Sequence, residues 1–205
     1  MSRSSFLFID ETENSLVFQV RIHGRGGQGV VTAAELLAQA AFDESRFAQA
    51  FPSFGSERTG APVVAFARIA DTEIRVREPI MSPDAVIIQD STLLKQVDVF
   101  SGLKKDGFAL INSTRTFDQL GIADIAGSNP HFITVPATAM AMQYLGRPVP
   151  NAVLLGAFAA LTKSISLHSV TDAINEKFKP KVAASNVAAA TAAYEYVLEM
   201  VAAHA

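Results

Sequence analysis

Short apolar runs and segments with apolar residues at helical spacing take turns along the chain, the pattern of an α/β fold around a mostly parallel sheet. Val17 to His23 reads as the first strand and Gln28 to Phe42 as the first helix, with Val31, Ala34, Leu36, Leu37 and Ala41 on or near one face. Phe47 to Phe51 is the second strand, and a loop runs from Pro52 to Gly60. Val63 to Ile69 and Glu73 to Val76 are joined only by Ala70-Asp71-Thr72, a connection short enough to predict an inserted antiparallel β-hairpin. Asp84 to Gln89 returns to an apolar run, as a strand buried on both faces does, and Asp90-Ser91-Thr92 marks a turn or helix start. Gly107 to Ile111 and His131 to Val135 are further strands, the second stopped by Pro136. Beyond it the pattern predicts a helical C-terminal part: Thr138 to Leu145, Asn151 to Lys163, Ser169 to Phe178 and Ala183 to Ala203. No repeat, low-complexity tail or linker divides the chain, which reads as one domain over residues 17–205 behind an N-terminal extension, 1–16.

Composition narrows the function. Hydrophobic residues make up 49% of the 205 and charged residues only 18%, enough apolar surface for a core and for contact with a partner. A net charge of −3 with no Lys/Arg-rich run argues against nucleic acid as that partner. Cysteine is absent, so this chain supplies no disulfide, no thiolate nucleophile and no ligand for an iron–sulfur cluster. Phe6-Leu7-Phe8-Ile9 is too short for the apolar core of a signal and is broken by Asp10-Glu11; Ala152 to Leu161 falls short of a membrane span. These features lead to the expectation of a cytoplasmic protein that does not engage a membrane.

The richest local signal is Gly24-Arg25-Gly26-Gly27-Gln28-Gly29, between the first strand and the first helix. Glycine lets the main chain turn tightly and approach a partner closely, and the helix that follows aims free N–H groups and its positive end at the turn. Arg25 and Gln28 within it suit hydrogen bonding to phosphate, carboxylate or a partner's carbonyls. Gly24, Gly26 and Gly29 match the G-x-G-x-x-G spacing of dinucleotide-binding turns, so a stand-alone dinucleotide-binding oxidoreductase domain is one reading. That fold also needs a carboxylate at the end of the second strand for the ribose, about 20 residues on. Here the second strand ends in Pro52-Ser53.

Phe54-Gly55-Ser56-Glu57-Arg58-Thr59-Gly60 sets an adjacent acid and base between glycines, either a solvated turn or a contact loop. Asp90 ends a buried strand, where open α/β sheets place functional groups, and equally suits capping of the segment after it. His23 borders the glycine turn; His131, His168 and His204 are scattered, and no pair has metal-ligand spacing, so each reads as a hydrogen-bonded structural residue. No G-x-S-x-G elbow or Ser, His and Asp order suggests a hydrolase.

Gly24 to Val30, Gln49 to Val63 and Pro83 to Asp90 together resemble the gamma subunit of the 2-oxoacid:acceptor oxidoreductases, the family of pyruvate:ferredoxin oxidoreductase, over about Val17 to Met200. Arg58-Thr59-Gly60-Ala61-Pro62 is most similar to the pyruvate-type subgroup, while Ser56 and Thr59 depart from the Pro and Arg more often found there and leave the substrate open. The resemblance implies a single Rossmann-like domain without catalytic or metal-binding residues of its own, in an enzyme that oxidatively decarboxylates a 2-oxoacid to acyl-CoA. It implies thiamine diphosphate, magnesium and [4Fe-4S] clusters in alpha, beta and delta-type partner subunits, coenzyme A as substrate, and ferredoxin or an NAD-linked flavin subunit as electron acceptor. Within that picture Gly24, Arg25, Gly26, Gly27, Gln28 and Gly29 are the candidate ligand-binding turn. Phe54, Gly55, Glu57, Arg58, Thr59 and Gly60 form the candidate loop at the subunit interface or active-site wall. A pure assembly module without ligand is the third reading. The resemblance implies that the 2-oxoacid's pocket lies mainly on other subunits, so pyruvate, 2-oxoglutarate, a branched-chain oxoacid and an aryl one such as phenylglyoxylate all stay open.

Overall fold

The computed structural model describes residues 17–53, 60–127 and 129–204. Six strands form one sheet in the order β2-β3-β1-β4-β5-β6. They are β1 (Val17–Arg25), β2 (Phe47–Pro52), β3 (Pro62–Ala70), β4 (Ala85–Ile88), β5 (Phe108–Asn112) and β6 (Phe132–Val135). β1, β4, β5 and β6 pair in parallel, and β3 is antiparallel to both β1 and β2. β2 therefore points the same way as β1, and β3 alone opposes the rest, which bears out the mostly parallel sheet.

The inserted hairpin is a correction. Residues 71–79 form no strand, although the sequence pattern predicts that Glu73–Val76 pairs with the segment before it. Both edges of β3 are already taken, by β1 on one side and β2 on the other, so the local partner has no ladder to join. The segment lies over the sheet instead. Its Val76 and Glu78 carbonyls accept from the buried Arg68 guanidinium, and the Ile74 carbonyl accepts from the Gln49 amide. Arg68 also stands 5.3 Å from the Phe51 ring centre.

One face of the sheet carries α1 (Val30–Asp43), α4 (Ala137–Leu145), α5 (Asn151–Thr162), α6 (Leu167–Lys177) and α7 (Pro180–His204) around the main core. α5 is apolar all round, which fits a helix enclosed on every side, and its residues 151–161 are buried. Ser166 caps α6 by accepting from the Ser169 amide. A 3-10 turn (Ser91–Lys95) and the short helices α2 (Phe117–Leu120) and α3 (Ala123–Ala126) pack on the other face over β4 to β6. Apolar periodicity does not reveal α2 and α3, which are too short to show it, though Thr116 and Gln119 form the reciprocal capping box that T-x-x-Q encodes.

Candidate functional site at the carboxyl edge of the sheet

β1 ends in the glycine turn, and the turn is stitched to the end of the 53–61 connection. Gly26 donates its N–H to the Ala61 carbonyl at 2.9 Å and accepts from the Gly60 N–H at 3.1 Å. Gly27 and Gly29 have φ of +93° and +73°, a region that side chains with a Cβ rarely occupy. A Cβ on Gly29 would also lie 2.6 Å from the Asn151 amide nitrogen at the start of α5. The glycines thus serve both conformation and close packing. Phe54, Gly55, Glu57, Arg58 and Thr59 lie outside the described residues; Gly60, the loop's last residue, sits against the turn.

Arg25 and Gln28 turn inward, to one carboxylate. Asp90 Oδ2 accepts from Arg25 Nε at 3.1 Å and Gln28 Nε2 at 2.9 Å, and Oδ1 accepts from the Thr92 amide and hydroxyl. Arg25 further donates to the Gly60 carbonyl, Thr92 Oγ1 and Gln96 Oε1, while Gln28 Oε1 accepts from the Arg25 N–H at 2.8 Å. Burial pushes the Asp90 carboxyl up, but the Thr92 hydroxyl, the Gln28 amide, the Thr92 amide and the Arg25 charge together hold it below the ordinary range. Asp90 is both the cap of the 3-10 turn and the knot that joins glycine turn, loop end and β4.

His23 is a satisfied structural histidine. Its Nε2 accepts from Arg21 Nε at 3.0 Å, so the proton of the neutral ring belongs on Nδ1. Burial and the adjacent Arg21 charge push its pKa down to about 4. Unfolded, the ring takes up its proton near pH 6.5; folded, only near 4, so between these values the unfolded chain binds more protons and stability falls as pH drops. The loss reaches about 3 kcal/mol by pH 4, because each pH step of one between the two values costs about 1.4 kcal/mol. Urea midpoints measured between pH 7 and 4.5 should show this decline, and His23→Gln should flatten it; an equal slope in the variant assigns the acid sensitivity elsewhere.

Beside the knot lies a polar cleft of about 320 Å³, walled by Gln28, Asp90, Asn112, Ser113, Arg115 and Thr138 among others. These residues follow β1, β4, β5 and β6 at their carboxyl ends, outside which open parallel sheets bind ligands. Asn112 fastens two of the elements: its Nδ2 donates to the Gln89 carbonyl at 2.8 Å and to Thr138 Oγ1 at 2.7 Å, and its Oδ1 accepts from the Thr138 N–H at 3.0 Å. Sequence reasoning missed this cleft, although the polar run Asn112-Ser113-Thr114-Arg115 directly after an apolar strand carried the signal.

The dinucleotide reading loses its geometry as well as its carboxylate. β3 separates β2 from β1, so the end of β2 stands about 10 Å from the turn, two strand spacings away. Among the described residues no group of three His, Asp or Glu could hold a metal, and no helix is long and apolar enough to cross a membrane.

A single open α/β sheet with its polar side chains gathered at one carboxyl edge defines a Rossmann-like domain. The model of the pyruvate ferredoxin/flavodoxin oxidoreductase family matches residues 19–196. A pyruvate synthase subunit PorC from Methanothermobacter marburgensis is 48% identical over 179 residues, 87% of this chain and 97% of that protein. A common subunit gamma of the pyruvate/ketoisovalerate oxidoreductases from Thermococcus litoralis is 42% identical over 179 residues, 87% of this chain and 96% of that one. The crystal structure of pyruvate oxidoreductase subunit PORC from Thermotoga maritima is similar with a TM-score of 0.77 at 36% identity, covering 88% of this chain and 96% of that chain. The chain belongs to the pyruvate ferredoxin/flavodoxin oxidoreductase family, as a gamma-type subunit.

Proposed function

We propose that this chain is the non-catalytic gamma subunit of a cytoplasmic 2-oxoacid oxidoreductase that converts a 2-oxoacid and coenzyme A to acyl-CoA and CO2, passing two electrons to ferredoxin or a similar acceptor. We assign thiamine diphosphate, magnesium and the [4Fe-4S] clusters to alpha, beta and delta-type partners, since a chain without cysteine has no thiolates for a cluster. The observation that carries the reading is the joining of Gly26 to Gly60 and Ala61, which brings glycine turn and loop end together on the carboxyl edge. That edge, Gly24 to Gly29 with Gly60 and Ala61 against it, is the face we assign to the catalytic subunits and the coenzyme A path.

The choice of 2-oxoacid rests with the partners. In Thermococcus litoralis one relative is named as common to pyruvate and ketoisovalerate oxidoreductases, which fits a gamma chain that does not select the acid. Isolating the tagged chain from its native source tests the assignment. Larger subunits should come with it, bringing 2-oxoacid oxidation that depends on thiamine diphosphate and coenzyme A, whereas the chain alone should be silent. Dye reduction by the purified single chain supplied with thiamine diphosphate, magnesium, coenzyme A and a 2-oxoacid would show that the non-catalytic assignment is wrong.

A further inference from the structure

Gln89 lies at the cleft with only 1% of its surface exposed, and neither its side-chain oxygen nor its nitrogen has a hydrogen-bond partner. Unpaired buried amides are costly and rare, and a bound ligand is one standard reason for them. The rest of the cleft says what such a ligand is. Ser91, Ser113 and Thr138 each use the hydroxyl oxygen to accept, from Arg115 Nη2, the Arg115 N–H and Asn112 Nδ2, so each O–H proton remains to be given. Arg115 has no carboxylate within ion-pair distance among the described residues. α4 opens beside it, and the Ala139 N–H in its first turn precedes the first intrahelical donor, Met140, whose partner is the Pro136 carbonyl. The Asp90 carboxylate at the rim is already engaged by Arg25, Gln28 and Thr92. The cleft is therefore rich in donors and has one uncompensated cation.

We propose that the cleft between the carboxyl ends of β4, β5 and β6 is a phosphate site, in which Arg115, the Ser113 and Thr138 hydroxyls and the first turn of α4 hold phosphate oxygens and the Gln89 amide closes on the ligand. Phosphate is acceptor-rich and anionic, the complement of this surface. The glycine turn is less suited to that task, because Arg25 and Gln28 are spent on Asp90 and Gly60. The source of the phosphate, coenzyme A or another nucleotide, rests on the reading of the carboxyl edge as the coenzyme A path; the site itself does not.

Isotope-labelled full-length chain titrated with inorganic pyrophosphate, ADP and coenzyme A separates these levels by NMR. Saturable shifts should appear for all three at the Gln89 side-chain amide and at the backbone amides of Ser113, Arg115 and Ala139. Arg115→Gln should weaken each by at least about tenfold, and Thr138→Val should weaken them too, with changes in the free chain's spectrum confined to the neighbourhood of Asn112, whose side chain loses one acceptor. Lys104→Gln, at the opposite edge near Asp84, should leave binding unchanged. Tighter binding of coenzyme A than of ADP supports both the site and its place on the coenzyme A path; equal binding supports the site and removes that path. No shifts with any of the three, shifts confined to Gly26–Gln28, or binding indifferent to Arg115→Gln would overturn the phosphate site.

Discussion

Gly156→Ala should lower the stability of this chain by about 1–3 kcal/mol, and Gly156→Val should prevent accumulation of folded protein. In an isolated helix the alanine change would stabilise by about 1 kcal/mol, because glycine is the weaker helix former. Here the sign reverses. A Cβ on Gly156 would stand 2.0 Å from the Ala190 carbonyl oxygen and 2.6 Å from its carbon, both backbone atoms of α7 that no rotamer change can move. α7 meets α5 through small residues, Ala189, Ala190 and Ala193 being fully buried, so the helices are already as close as their backbones allow. Inserting a methyl group must push them apart and strip contacts from both. Thermal unfolding reads the result, since about 1 kcal/mol shifts the midpoint of a chain this size by about 2–4 °C. An unchanged or raised midpoint for Gly156→Ala would mean that propensity governs and the close crossing does not.

Arg21→Met should cost about 3–6 kcal/mol, the largest effect expected from any charged residue here. Arg21 is 7% exposed, and its guanidinium donates to the Val99 carbonyl at 3.0 Å, the Ser101 carbonyl at 2.6 Å, the Ile80 carbonyl at 3.4 Å and His23 Nε2. Methionine restores much of the volume and none of the donors, leaving carbonyls orphaned at about 1–3 kcal/mol each. Lysine does not rescue it, because one ammonium cannot match a planar fork of donors reaching three stretches of chain. Two readouts distinguish this network from mere packing. Amide exchange should quicken around Leu103, whose N–H bonds to the Phe100 carbonyl, and the His23 pKa should rise once the neighbouring cation is gone. A variant with native exchange at Leu103 and an unmoved His23 titration would confine Arg21 to filling space.

The legible parts of this fold are those written in neighbouring residues. β4, β5 and β6 announce themselves as short apolar runs and β1 as an alternating one, and the four long C-terminal helices are found within a few residues of their limits. The glycine turn and Asp90 are legible for the same reason: a tight turn and a strand end each need their residue types in sequence. Glu73–Val76 misleads because nearness along the chain favours a hairpin, while pairing is decided by which strands reach β3 in space.

Local periodicity thus carries the mostly parallel α/β architecture, and contiguous motifs carry the resemblance to the family and the place of the glycine turn. The strand order, with β3 wedged between β1 and β2 and the ribose geometry lost, comes only from the packing of the whole chain. So do the burial of Arg21 and the close crossing at Gly156. Packing also gathers Gln89, Asn112 and Thr138 into one cleft across separations of 23 and 26 residues. Each of these depends on which distant segments meet, and a hydrogen bond or a contact between remote residues leaves no periodic trace in either of them.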